Sequence, residues 1–245
     1  MKKILVILLC LPLLSSSQSH PIFSEYGEGS SFNKWIEIYN PTSQNINLDN
    51  YRYNFCWNGC DDLEWEFSIS FDTGYVLLPG ETYLLVHSDA NTMLTTTANQ
   101  TTNLFSNGND VVGIYNISLN TIVDIIGVFD SVEVSGWDVD GTVNATKDHT
   151  MYRKPNICNG NMGNWSLSDG SSVASEWILG SIDDFTDLNN HNANCSSTGY
   201  NELVHSVKRN VVSIIDVLGK KQTKFNQILL YIYNDGTVEK KVIID

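Results

Sequence analysis

The chain of 245 residues is poor in basic side chains, with 14 Lys and Arg against 28 Asp and Glu. Residues 20–200 hold five basic and 23 acidic residues, a net charge of −18, whereas residues 201–245 hold seven basic and five acidic residues, a net of +2. Because non-specific affinity for nucleic acid comes from neutralising phosphates with Lys and Arg, the composition argues against direct nucleic-acid binding. The change in charge predicts a domain boundary near residues 196–202.

Long apolar runs are also lacking. The longest, from Ile4 to Leu14, is shorter than the roughly 18 residues that a membrane helix needs, so we expect no transmembrane segment. Lys2 and Lys3 precede this run and the small polar residues SSSQS follow it, which is the pattern of a secretory signal peptide. We therefore predict a signal peptide over residues 1–19 and an exported protein that begins near His20.

Cysteine is scarce, and one of the five cysteines lies inside the predicted signal peptide. An even count of four in an exported chain predicts two disulfides among Cys56, Cys60, Cys158 and Cys195, although three pairings are possible. The spacing in CWNGC suits a bridge across an Asn-Gly turn, which would leave the other two cysteines to pin a loop to the end of the domain. A catalytic or metal-binding thiol pair is disfavoured because no second CxxC or His-rich motif lies nearby.

Alternating apolar residues dominate the rest of the chain. In WEFSISF, residues 65–71, apolar and polar side chains alternate with period two, as in a half-buried strand. Further strands are predicted within residues 21–26, 34–40, 75–78, 82–88, 110–116, 121–129, 149–154 and 176–180. Asn-Gly, Asp-Gly and Pro-Gly pairs between them favour tight turns, so an antiparallel β-sandwich is expected, with one short helix within residues 89–100.

The stretch GEGSSFNK, residues 27–34, is similar in composition to a phosphate-binding loop. A working loop of that kind needs Gly-Lys-Ser/Thr followed by a helix. Here Lys34 follows Asn33, Trp35 replaces the hydroxyl residue, and a strand comes next. The stretch is therefore predicted to join two strands, and whether Glu28, Ser30 and Asn33 also face a ligand stays open.

The same region resembles the opening of the bacterial lamin-tail domain, a run of S-E-Y-x-E-G-S-S-x-N-K that leads into E-I-Y-N-P-T. Other pieces follow in the order of that family: INLDNY, LLPGETYLLVHS, FSNGNDVVGIY, VDIIGVF, GWDVDGTVNATKDHTMYRKPNI and NWSLSDGSSVASEWI. The resemblance covers roughly residues 21–191. It implies an immunoglobulin-like β-sandwich over residues 20–195 and a non-catalytic module for tethering or ligand contact.

The last 45 residues, 201–245, resemble the C-terminal sorting signal of type IX secretion cargo in Bacteroidetes. IIDVLGKK, Asn226 and LLYIYNDGTVEKKVIID carry this resemblance. It implies a small β-meander, closed by an Asp235-Gly236 turn, that engages the type IX secretion machinery. Release or attachment at the outer cell surface would follow.

Other chemistry is weakly indicated, since no HExxH, GxSxG or zinc-spaced His pair is present. His149, close to charged residues, is expected to hold a strand entry by hydrogen bonding. Residues 138–148 contain three Asp around a glycine, namely Asp138, Asp140 and Asp148, and resemble part of a calcium loop, as does Asp61-Asp62. The third early acid and the closing Glu of an EF-hand are missing, so no resident cofactor is expected and calcium stays an alternative.

The six Trp and eleven Tyr suggest a further alternative, a carbohydrate platform. Trp65, Trp165 and Trp177 are expected in the core, while the exposure of Trp35, Tyr39 and Trp57 cannot be read from the pattern. The function expected from the sequence is a non-catalytic adhesion, tethering or ligand-binding module at the cell surface or outside the cell, with a surface, glycan or protein ligand. The alternatives are a secreted metal-assisted nuclease or phosphatase and a calcium-stabilised carbohydrate-binding module.

Overall fold

A computed structural model describes residues 20–60, 62–131, 135–195, 211–216, 220, 228–233 and 238–242. The chain divides into two compact units, residues 1–196 and 197–245. The predicted signal peptide lies outside the described residues. Among the residues that the structure describes, none of the helices has the length and apolar character to cross a membrane.

The first unit is built from short strands, as the alternation predicts. In chain order the elements are β1 (Ile22–Glu28), β2 (Lys34–Tyr39), β3 (Ile46–Asn47), β4 (Tyr51–Cys56), β5 (Phe67–Ser70), β6 (Val76–Leu77), β7 (Thr82–His87), helix α1 (Thr92–Thr97), β8 (Gln100–Thr102), β9 (Val111–Asn116), β10 (Thr121–Ile126), β11 (Thr150–Arg153) and β12 (Trp177–Gly180). Two short 3-10 turns cover Leu48–Asn50 and Trp165–Leu167.

These strands form two main sheets. The large sheet has the order β12-β11-β1-β2-β7-β8, the small sheet has the order β10-β9-β4-β5, and β3 pairs with β6. All pairs are antiparallel except β7 with β8. The predicted all-β, immunoglobulin-like antiparallel sandwich is confirmed.

The main core lies between the two sheets. Ile36 and Ile38 of β2 share a hydrophobic cluster with Tyr53 and Phe55 of β4, and all four are fully buried. Period-two alternation puts such residues on the inner face of each sheet. Truncation of one of the aromatic side chains in a core of this kind costs about 3–5 kcal/mol.

An ion-pair network joins the two sheets. Arg153 of β11 donates to Asp124 of β10 at 2.9 Å and to Glu176 at 2.6 Å. Its guanidinium lies 4.7 Å from the ring centroid of Trp177. Asp124 also accepts from the backbone N–H of Phe23 at 3.0 Å, so that one buried carboxylate serves strands of both sheets.

The outer face of the large sheet is buried too. The segment of residues 183–192, which we call the cover segment, lies over it, and its Phe185 packs 5.2 Å from Trp35 in an edge-to-face contact. Leu188 of the cover segment and Leu94 of α1 belong to the same small cluster. Both faces of β2 are therefore buried, whereas the alternation of residues 35–39 by itself predicts one buried face.

The close packing of this outer layer explains one glycine. A Cβ on Gly27 of β1 would lie 2.2 Å from the indole ring of Trp35 on the neighbouring strand. Any side chain at residue 27 would displace that ring, so the position requires glycine.

The helix Thr92–Thr97 lies within the predicted residues 89–100, and Asn91 caps its start. Three strands were not predicted: β3, β4 and β8, the last of which follows shortly after the helix. Of these, β4 lies second from the edge of the small sheet, and its Tyr51, Tyr53 and Phe55 alternate with polar residues.

Two disulfides are present in the first unit. They join Cys56 to Cys60 and Cys158 to Cys195, with Cα atoms 5.3 and 5.6 Å apart. The first closes the turn after β4, and the second ties the end of the first unit to the chain that follows β11.

The second unit contains β13 (Val211–Asp216), β14 (Ile228–Tyr233) and β15 (Val238–Val242). They form an antiparallel sheet in the order β13-β14-β15, which is the predicted meander. The predicted Asp235-Gly236 turn and Asn226 lie outside the described residues.

Candidate binding surface at the loop end

Five loops lie at one end of the sandwich, which we call the loop end, and hydrogen bonds connect several of them: residues 29–33, 57–59, 88–91, 103–110 and 135–149. Hydrogen bonds within this end connect the two sheets. Tyr26 of β1 donates to the carbonyl of Asn107 at 3.3 Å, and Trp137 donates through its indole N–H to the carbonyl of Asp110 at 3.0 Å. Loops that cluster at one end of a rigid sandwich are a common place for binding residues.

The β1–β2 loop is anchored by a buried ion pair between Lys34 and Glu28. Lys34 also donates to the carbonyl of Gly29 at 3.0 Å, and Glu28 accepts from the backbone N–H of Asp148 at 2.6 Å. The lysine that imitates a phosphate ligand is therefore a structural cation inside the protein.

The polar tip of the same loop is held by the cover segment. Ser30 donates to Asp183 through its backbone N–H at 2.9 Å and through its hydroxyl at 2.5 Å, and Asn33 donates to Asp183 at 3.0 Å. Desolvation raises the pKa of Asp183, but these hydrogen bonds and Lys34 outweigh it and lower the pKa below its usual range. Glu28, Ser30 and Asn33 thus all order the loop.

The apolar residue at the tip is left outside this frame. Phe32 is 51% exposed, and its ring stacks on that of His87 with centroids 4.8 Å apart. An exposed aromatic ring on a loop with internally bonded polar groups is positioned for contact with a partner.

The disulfide loop presents a second aromatic ring at this end. Trp57 is 45% exposed and packs on Phe67 at 4.4 Å between centroids. Its backbone N–H donates to Glu66 at 2.8 Å, while the N–H of Asn58 donates to Asp110 at 2.8 Å. The Cys56–Cys60 bond encloses the loop, so Trp57 is also held in place by its neighbours.

Asp110 connects the disulfide loop, residues 57–59, to the loop that precedes β9. It accepts from the backbone N–H groups of Asn58 and Asn107, at 2.8 and 2.5 Å. Burial nevertheless raises its pKa to about 6, which these hydrogen bonds only partly counteract. Asp110 therefore carries the charge of a structural cap at neutral pH.

The acids of the predicted calcium loop have structural contacts. The Asp138 side chain accepts from the N–H of Asn144 at 2.9 Å, and the N–H groups of Asp140 and Asp148 donate to other parts of the fold. Asp62 accepts from the N–H of Glu64 at 3.0 Å, while Asp61 lies outside the described residues. Within the described ranges, no group of three or more His, Cys, Asp or Glu could hold a metal ion.

His149 lies at the entrance to β11. Its ring Nδ1 is 2.7 Å from the carbonyl of Lys147, and its own carbonyl accepts from the N–H of Glu28 at 3.0 Å. These contacts match the strand-entry role expected from the sequence.

The structure contains a carboxyl pair that the sequence analysis missed. Glu25 of β1 and Glu37 of β2 are directly opposite each other on the outer face of the large sheet, 1% and 0% exposed. Trp35 donates to Glu25 at 2.8 Å, and Ser24 and the N–H of Asn189 donate to Glu37 at 2.7 and 2.5 Å. Desolvation and mutual repulsion raise the pKa of Glu25 to about 9, and desolvation raises that of Glu37 to about 7.

Paired carboxyls with raised pKa values are suited to general acid and base catalysis. A catalytic carboxyl must come within hydrogen-bond reach of a substrate. The cover segment buries both glutamates, and Glu37, which accepts from the N–H of Asn189, is placed to hold the segment on the sheet.

The aromatic residues proposed as a carbohydrate platform are separated by the fold. Trp35 and Tyr39 are buried under the cover segment, and only Trp57 of that set is exposed. Trp165 and Trp177 lie in the main core, while Trp65 is half-buried against it.

Comparison with known families gives a match over the first half of the chain. The lamin tail domain family model matches residues 15–130, which include β1 to β10. This family is immunoglobulin-like and generally non-catalytic, in agreement with the observed sandwich. No curated protein and no solved structure matches the chain.

Proposed function

We propose that this chain is an exported, non-catalytic member of the lamin tail domain family that binds a partner through its loop end. The family match over residues 15–130 and the immunoglobulin-like sandwich support the family and the module type. Membership of the family would extend to β11 and β12, which complete the large sheet beyond the matched residues.

The observation that carries the binding proposal is the exposure of two aromatic rings on restrained loops. The Phe32 loop is fixed by Asp183 and the Trp57 loop by a disulfide. Aromatic side chains contribute much of the energy at protein interfaces, and a pre-ordered loop loses little conformational entropy on binding. A protein or glycan at the cell surface or outside the cell is the expected partner.

Export and delivery by type IX secretion are part of the same proposal. The sequence of residues 1–19 and the resemblance of residues 201–245 to a sorting signal support it. Two disulfides are compatible with an oxidising compartment outside the cytoplasm. The three-stranded second unit would engage the secretion machinery.

The test is capture of partners from isolated cell envelopes by the purified chain. We expect the double variant Phe32→Ala with Trp57→Ala to weaken capture about tenfold or more, the usual effect of removing interface anchors. A matched control replaces two exposed apolar residues of the β9–β10 turn, Ile117→Ala with Leu119→Ala. Equal capture by wild type and the aromatic double variant would refute the loop-end assignment.

A second assay addresses the non-catalytic part of the proposal. Purified chain is incubated with DNA, phosphomonoesters and glycans, with and without added divalent metal. Turnover that follows the protein through purification, and that is lost in His149→Ala, would contradict a binding-only role.

A further inference from the structure

A cavity of about 420 Å³ lies beside the cover segment, away from the loop end. Its lining combines residues of β11 and β12 with residues of the cover segment, including Tyr152, Ile178, Asp187, Asn190, His191 and Asn192. The volume falls within the usual range of small-ligand pockets, about 300–1,000 Å³. The cavity belongs entirely to the first unit.

One wall is apolar and rigid. Tyr152 and Ile178 are cross-strand partners, and Ile178 is 49% exposed although it lies in a strand. The Tyr152 hydroxyl donates to the carbonyl of Asp184 at 3.1 Å, which fixes the orientation of the ring. An aromatic ring beside an aliphatic residue provides a surface for an apolar ligand face.

The opposite wall is rich in hydrogen-bonding groups. Asn190 donates to one oxygen of Asp187 at 3.1 Å, and a carboxylate offers about four acceptor positions. Asn192 adds a second exposed amide. Carboxylate and amide side chains can together accept from and donate to neighbouring hydroxyl groups.

His191 also belongs to the lining of the cavity. Its ring packs edge-on against Tyr39 at 4.7 Å, and its Nε2 is buried inside the protein, so that atom does not face the cavity. The same residue lines a second cavity of about 300 Å³ with Thr82 and Asn189.

The charges around the cavity favour a neutral ligand. Asp187 lines the cavity with Asp184 nearby, and the guanidinium of Arg153 in the lining is already paired with Asp124 and Glu176, so an anion is disfavoured. Burial and the Arg153 guanidinium lower the pKa of His191 despite the opposing effect of Asp187, so a positive charge is not favoured at that ring either. A ligand with many hydroxyls and no net charge satisfies both conditions.

We propose that the cavity between the β11–β12 edge and the cover segment binds a neutral saccharide, with one sugar ring against Tyr152 and Ile178 and its hydroxyls on Asp187 and Asn192. This site is separate from the loop end and does not require the loop-end proposal to hold.

The test is titration of the full mature chain with four neutral disaccharides, cellobiose, maltose, mannobiose and N,N′-diacetylchitobiose, followed by calorimetry and NMR. At least one is expected to bind with a Kd of about 1 mM or tighter, which corresponds to about −4 kcal/mol. The double variant Asp187→Ala with Asn192→Ala should weaken that binding about tenfold or more. The matched control Asp72→Ala with Asn45→Ala, at exposed positions away from the cavity, should bind as wild type does.

Several outcomes would overturn the proposal. They are the absence of saturable binding by all four sugars, equal binding by the cavity variant with a wild-type melting midpoint, and saturable binding of putrescine that displaces the sugar. Loss of sugar binding in the Phe32→Ala, Trp57→Ala variant would place the sugar at the loop end instead. Retained sugar binding in that variant, with lost envelope capture, supports two separate sites.

Discussion

The buried pair of Glu25 and Glu37 predicts that the protein loses stability as pH rises. A carboxyl whose pKa is raised in the folded state keeps its proton there after the unfolded chain has released it. The folded state then binds more protons, so the free energy of unfolding decreases with pH. The stabilising effect of protonation is complete below the usual value of 4.5 and is lost as pH rises towards about 7 for Glu37 and about 9 for Glu25.

The magnitude follows from linkage. Each group lowers the free energy of unfolding by about 1.4 kcal/mol per pH unit while only the unfolded chain is ionised. Near pH 6 both glutamates contribute, so the slope is roughly twice that value, and above pH 7 mainly Glu25 continues to contribute. Such a slope is large against a typical total stability of about 5–15 kcal/mol.

The perturbation is the double variant Glu25→Gln with Glu37→Gln. An amide has nearly the shape of a protonated carboxyl and can still accept from Trp35 and Ser24, but it does not ionise. Urea denaturation followed by tryptophan fluorescence at pH 5, 6, 7 and 8 measures the free energy of unfolding. In Glu37→Gln the amide has one acceptor oxygen for the two donors that Glu37 serves, Ser24 and the N–H of Asn189, which lowers the stability of the variant equally at every pH. We therefore expect the stability of the variant relative to wild type to rise by several kcal/mol between pH 5 and pH 8.

The exposed Glu64→Gln serves as the control, because it removes a carboxyl without changing a buried contact. Its pH profile should follow that of wild type. If the glutamine double variant and wild type had parallel profiles over this pH range, the carboxyls would not be held protonated, and the proposed role of burial would be wrong.

Three further predictions follow from other parts of the fold. Cys158→Ser with Cys195→Ser under oxidising conditions should lower the free energy of unfolding by about 4 kcal/mol, since the bond closes a separation of 37 residues, and urea denaturation measures the loss. Arg153→Ala should cost about 3–5 kcal/mol because it leaves Asp124 charged and buried without its ion-pair partner; a loss under 1 kcal/mol would contradict this reasoning. The Asp138 carboxylate already accepts from the N–H of Asn144, and within the described residues no three acidic side chains come together at a metal-binding distance, so the melting midpoint should be the same in calcium and in chelator, and a rise in calcium would revive the calcium alternative.

Much of the sandwich could be predicted because each strand carries a local signal. Residues 65–71 alternate strictly, and β5 lies within them. The missed strand β4 had a similar signal, since Tyr51, Tyr53 and Phe55 alternate with polar residues as the apolar residues of β5 do. The parallel pairing of β7 with β8 had no local signal, since α1 between them sets the direction of the chain.

The burial of the carboxyl pair could not be predicted from local sequence. Because side chains alternate along β2, Glu37 lies on the other face of the sheet from Ile36 and Ile38. In a sandwich with one core, that face is exposed to solvent. That face is buried by the cover segment, about 150 positions further along the chain, whose Asn189 N–H reaches Glu37. A local pattern indicates on which face of the sheet a side chain lies, but it gives no information about a distant segment, such as the cover segment, that buries that face.

In the GEGSSFNK stretch, the local sequence suggests a binding site that the contacts in the fold do not leave open. Its glycines, hydroxyls and lysine suggest a site for an anion, yet the groups that meet them are the carboxylates of Glu28 and Asp183. Because those acids already satisfy Lys34 and Ser30, the large group left for an external partner is the ring of Phe32, the only large apolar side chain in the stretch. Binding at this loop should therefore depend on apolar contact area and change little with salt concentration, whereas an anion site on Lys34 would weaken steeply as salt is added.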